Sequence, residues 1–130
     1  MDGPRKGFAR QMARKVLKDC KISNPPIDLK LILRKKGYEY LEVDTFLDNV
    51  DALFLEDEGL MYAAVNSKHH IHRQRFSLAH ELGHILLNHN LSYYNSEISL
   101  DEPPSEKWHT NAEMGFETEA NNFAGELLCL

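Results

Sequence analysis

Five consecutive residues carry the strongest chemical signal in the chain: His80-Glu81-Leu82-Gly83-His84. Histidines four apart project from one face of a helix, so both imidazoles can reach a single ion at about 2.0–2.1 Å. Glu81, one residue beyond His80, then points beside the ion rather than at it, where its carboxylate can act as general base towards a water on the metal. Two histidines hold catalytic zinc poorly; three protein ligands and an open position are the usual arrangement. The stretch NAEMGFETEANNFAGELLCL offers the third ligand. Glu117 and Asn121 are four apart and share a face, so Glu117 can ligate while Asn121 hydrogen-bonds a ligating histidine and fixes its tautomer. Glu113, Glu119 and Glu126 compete with Glu117 on spacing alone, Glu119 being solvated if it has no such role.

Other residues are candidates for lesser parts. His89, Tyr93, Tyr94 and His109 can each donate a hydrogen bond to a tetrahedral intermediate, since metal-assisted attack of water on a carbonyl benefits from a second electrophile. Met61, Tyr62, Ala63, Ala64, Val65 and Asn66 read as a strand on which an extended substrate can pair through its backbone. His69, His70 and His72 have no carboxylate or Cys among them and read as a surface or substrate-facing loop rather than a second metal site.

Regular elements must hold these groups in place. Phe8, Met12, Val16 and Leu17 give an amphipathic first helix over 7–19. Pro26 is placed to open a second helix that buries Ile27, Leu29, Ile32 and Leu33 and stops at Gly37. Residues 38–43, 52–55 and 60–66 read as three strands separated by the turn-forming DNVD and EDEG. The motif helix is expected from about Arg73 or Ser77 to Asn88, with Phe76, Ala79, Leu82, Leu86 and Leu87 packing beside the ligand stripe. Gly83 costs such a helix up to about 1 kcal/mol, which fits close approach of another element there. Residues 90–110 are polar and contain Pro103-Pro104, a long excursion of the kind that often serves function. A last helix begins near Thr110, whose spacing to Glu113 fits a capping box, and buries Phe116, Ala120, Phe123, Ala124 and Leu127. The fold class expected is α+β, a small three-stranded antiparallel or mixed sheet packed on about four helices.

The totals agree with one domain over residues 1–130. A chain of 130 residues with 42% hydrophobic and 27% charged residues is globular, and it has no apolar run near the roughly 20 residues of a membrane span. Cys20 and Cys129 lie far apart without CxxC spacing, and no signal peptide opens the chain, so a reducing cytoplasm is expected. Residues 1–36 carry eleven Lys or Arg against three Asp, a local balance of +8, which leaves −13 on the remainder of a chain with net charge −5. Few aromatics are interleaved and no recognition-helix or zinc-finger pattern appears, so solvated helix faces are expected rather than a nucleic-acid site.

RFSLAHELGHILLNH followed by ETEANNFAGELL, with PPIDL upstream, resembles the ImmA/IrrE family of bacterial metallopeptidases over about residues 8–128. The resemblance implies a zincin-like domain with one Zn²⁺ held by His80, His84 and Glu117, Glu81 as base and Asn121 in support. It favours Glu117 over Glu119. It further implies limited proteolysis of a separate helix-turn-helix repressor. Where the family usually continues through a methionine-proline pair, this chain reads Leu127-Leu128-Cys129-Leu130, as expected of a minimal member or of a sequence cut short. A metal-bound module that sequesters a regulator without cutting it is the rival reading; the intact Glu81 argues against it. Histidine–carboxylate sites also accept Mn²⁺ or Fe²⁺.

Overall fold

Helix α1 (Lys6–Asp19) runs beside α4 (Asn111–Leu127) in the same direction: Arg5, Arg10 and Arg14 meet Glu119, Asn122 and Glu126 in ascending order along both. These are positions in a computed structural model that describes residues 3–22, 27–89 and 111–128. The buried stripe of α1 is Ala9, Ala13 and Val16, with Met12 and Leu17 at its margins. Phe8, expected in that stripe, is 42% exposed. Small residues let α4 come close, and the resulting rotation turns Phe8 outward, where the Arg5 guanidinium lies 4.8 Å from its ring centroid. The basic helix is therefore not simply solvated; three of its arginines are engaged by α4.

Helix α2 (Leu29–Lys35) is capped by Asp28, whose carboxylate accepts from Leu31 N–H at 3.1 Å. Capping rather than proline thus marks its start, Pro26 lying outside the described residues. Gly37, at φ 91°, ends it as expected and leads into β1 (Tyr38–Val43). Strands β2 (Ala52–Asp57) and β3 (Leu60–Asn66) form a hairpin through Glu58 and Gly59, both at positive φ, the signature of a two-residue primed turn.

The sheet order is β1-β3-β2, with β3 parallel to β1 and antiparallel to β2. Ala52, Phe54, Ala63 and Val65 face the helices; Leu53 and Ala64 face a second small core capped by Phe46 and Val50 of the β1–β2 loop. This is the mixed α+β arrangement expected, and it corrects one detail. Met61 to Asn66 make up the middle strand, hydrogen-bonded along both edges, so they offer no free backbone to a substrate.

Helix α3 (Ile71–Leu86) begins earlier than expected because His70 caps it, its ring Nδ1 accepting from His72 N–H at 3.2 Å. It packs against α4, β2 and β3. A Cβ on Gly83 would meet the buried Phe123 ring at 2.9 Å, so the glycine is what seats α4 on α3. Among the described residues no helix is long and apolar enough to cross a membrane. Cys20 is buried and unpaired; Cys129 and the Thr110 cap lie outside the described residues.

Candidate metal centre

Helical spacing sets His80 and His84 one turn apart on α3, and α4 crosses over them with Glu117 and Asn121, also one turn apart. His84 Nε2 lies 3.0 Å from His80 Nε2 and 2.7 Å from Glu117 Oε1; His80 Nε2 lies 2.8 Å from Glu117 Oε2. These three side chains bring one ligand atom each within 4.8 Å of one another, a group able to hold a metal ion. The Glu113 side chain lies outside the described residues, while Glu126 pairs with Arg14 at 2.9 Å.

The remaining ring nitrogens decide what the convergent atoms can do. His80 Nδ1 lies 2.8 Å from Asn121 Oδ1, an acceptor, so Nδ1 carries a proton and Nε2 presents a lone pair whenever the ring is neutral. His84 Nδ1 lies 2.8 Å from His89 Nδ1, and His89 Nε2 lies 2.7 Å from Glu119 Oε1. With both rings neutral and protonated on Nδ1, two imidazole lone pairs and a carboxylate face one point, an arrangement that a proton or a cation relieves.

Burial lowers the His84 pKa to about 4, the hydrogen bond it can donate to Glu117 only partly opposing it. Burial also pulls His80 down, but its hydrogen bond to Glu117 and the nearby Glu81 and Glu117 carboxylates hold it above the ordinary histidine value. Burial pushes Glu117 up and the two histidines overcome it, leaving this carboxyl well below its usual range. Ionised Glu117 and neutral His84 are the forms that bind a metal ion.

A sequence model of the peptidase M78 family, described as the IrrE N-terminal-like domain, matches residues 48–129, more than half of the chain. The chain belongs to this family. No curated protein matches it. The match begins after β1, so α1, α2 and β1 lie outside the IrrE-like portion, which holds both motif histidines and Glu117.

Two expectations are corrected in this IrrE-like site. Glu119 is not solvated: it is 4% exposed and receives Arg5 through the backbone N–H at 2.7 Å, Nε at 3.2 Å and Nη2 at 3.0 Å. Burial raises its pKa, but these bonds and His89 outweigh it and hold the carboxyl below the usual range. His89 does not reach outward to a reacting carbonyl. It is buried, stacked on Phe116 at 4.3 Å, with both ring nitrogens engaged inside the protein. A turn of the Schellman type places it: Asn88, at φ 60°, donates its N–H to the Ile85 carbonyl, and His89 N–H reaches the His84 carbonyl at 2.8 Å. An asparagine just past the motif helix was the available signal. Tyr93, Tyr94 and His109 lie outside the described residues.

The second histidine group is divided in its tasks. His69 Nε2 donates to the Asp48 carbonyl at 2.7 Å and fastens the β1–β2 loop, while His70 and His72 are exposed at the start of α3.

Proposed function

We propose that the chain is a zinc-dependent endopeptidase in which His80, His84 and Glu117 bind one Zn²⁺, Glu81 is the general base and residues 1–130 act as one domain. The observation that carries this reading is the convergence of two imidazole Nε2 atoms and the Glu117 carboxylate, with both Nδ1 atoms already engaged. Membership of the peptidase M78 family supports it. His80, His84 and Glu117 would hold the Zn²⁺, which when bound would supply Lewis-acid chemistry, lowering the pKa of a water towards about 7 and polarising the scissile carbonyl. Asn121 fixes the tautomer of His80. Glu81, on the same helix one residue past His80, takes the proton of the attacking water; as the C–N bond breaks, that proton passes to the leaving amine. With β3 closed on both sides, β2, an edge strand among the described residues and packed against α3, offers backbone on which an extended peptide could pair.

The substrate proposed is a helix-turn-helix repressor met in a reducing cytoplasm, on the strength of the resemblance to ImmA/IrrE peptidases. Incubating metal-loaded wild type and Glu81→Gln with the repressor encoded beside the gene tests this by mass spectrometry. Defined fragments from the wild type alone are expected, with turnover by Glu81→Gln lowered at least about 100-fold while zinc stays bound. Fragments from both proteins would remove Glu81 as base. A stable complex cut by neither would favour a binding module.

A further inference from the structure

Arg5 and His84 are far apart in sequence and joined by an unbroken run of hydrogen bonds. Arg5 grips Glu119 through three donors, Glu119 Oε1 lies 2.7 Å from His89 Nε2, and His89 Nδ1 lies 2.8 Å from His84 Nδ1. The donors and acceptors admit one consistent assignment for neutral rings. A carboxylate facing an arginine only accepts, so His89 must carry its proton on Nε2. That leaves His89 Nδ1 as an acceptor, which draws the His84 proton to Nδ1 and frees His84 Nε2 as a lone pair. With the other His89 tautomer, His84 would carry its proton on Nε2 and could not ligate.

We propose that His89, Glu119 and Arg5 are a positioning chain for His84, by which the N-terminal segment, outside the matched residues 48–129, sets the ligating tautomer of a histidine on α3. The inference rests on the zinc reading of the site. Geometry argues for a dedicated device rather than packing alone. The turn at Asn88 fixes the His89 backbone and the stack on Phe116 holds its ring, so the ring cannot swing to another partner without losing that stack. Glu119 takes the Arg5 backbone N–H as well as the guanidinium, so its carboxylate also caps the N-terminus of α1, where a negative charge is favoured.

The test is zinc affinity by chelator competition, with the visible absorption of the Co²⁺-substituted protein as a report on ligand geometry. His89→Phe keeps a ring on Phe116 and deletes both nitrogens; Glu119→Gln keeps the shape and removes the charge. Roughly 10- to 100-fold weaker zinc binding is expected for His89→Phe, with a smaller loss for Glu119→Gln and an altered Co²⁺ band in both. Arg14→Ala is the packing control, because Arg14–Glu126 is another α1–α4 link with no path to His84; its melting temperature should fall while its zinc affinity stays. Binding by His89→Phe and Glu119→Gln within twofold of wild type overturns the chain, and so does an equal loss in Arg14→Ala. If His89→Phe does not fold, Glu119→Gln decides by the same criterion. A wild type that takes no zinc overturns the metallopeptidase reading and this inference with it, whereas equal binding by wild type and variants overturns this inference alone.

Discussion

Two groups of histidines sit at opposite ends of α3, and the contrast lies in where their nitrogens point. At the N-terminal end most polar atoms meet a complement within the protein, and His69 Nδ1, which makes no hydrogen bond, lies 3.2 Å from the Asp51 carboxylate. His69 Nε2 donates to the Asp48 carbonyl, buried Asn66 donates to the carbonyls of Leu47 and Val50 and accepts from Lys68 N–H, and Lys68 Nζ reaches the Phe46 carbonyl at 2.7 Å. Towards the C-terminal end, His80 and His84 turn their Nε2 atoms on each other and on Glu117, so that acceptors face acceptors. The first cluster is held by contacts within the protein and fastens a loop over the sheet. The second is balanced only by a proton or a cation. Histidine count does not distinguish them; the direction of the lone pairs does.

The largest effect should come from breaking that second cluster. Zinc at about a thousandfold over its Kd should stabilise the wild type by roughly 4 kcal/mol, and the same addition should leave His84→Ala unmoved. Thermal unfolding with and without zinc measures this. A His84→Ala protein protected as strongly as wild type would show that the convergent lone pairs are not a binding site.

How much of this contrast could be read beforehand follows from sequence separation. His80 to His84 and Glu117 to Asn121 are single helical turns, so their faces follow from spacing, and the three strands and Gly83 were legible for the same local reason. Strand order was not, because pairing is non-local: β3 follows β2 in the chain but lies between β1 and β2. Reading β3 as a substrate strand failed there. Glu119 looked like an exposed competitor of Glu117 because its partner Arg5 is 114 residues away. The inward turn of His89 was partly legible in Asn88, an asparagine suited to the left-handed conformation just past a helix.

A middle-sized effect separates fastening from binding. Asn66 is fully buried, so Asn66→Ala strips a donor from the Leu47 and Val50 carbonyls and an acceptor from Lys68 N–H. Leaving such groups unmatched costs about 1–3 kcal/mol. Urea unfolding should show that loss at unchanged zinc affinity. A weaker zinc site in Asn66→Ala would mean that the two clusters are coupled through α3, and the contrast between them would lose its force.

The smallest effect falls on the histidines that cluster in sequence without converging in the structure. His70 and His72 are both exposed, their rings 4.9 Å apart, and the one polar contact described for either side chain is the acceptance by His70 Nδ1 of His72 N–H. That bond satisfies one of the free donors at the start of α3, so His70→Ala should cost about 0.5–1 kcal/mol, as other helix caps do. Replacing His72 as well should add little, since its ring caps nothing. Metal content after dialysis should remain one zinc per chain in the double variant. A drop in stoichiometry would show that these rings hold an ion of their own. The rule drawn from lone-pair direction would then fail where exposed side chains are free to turn.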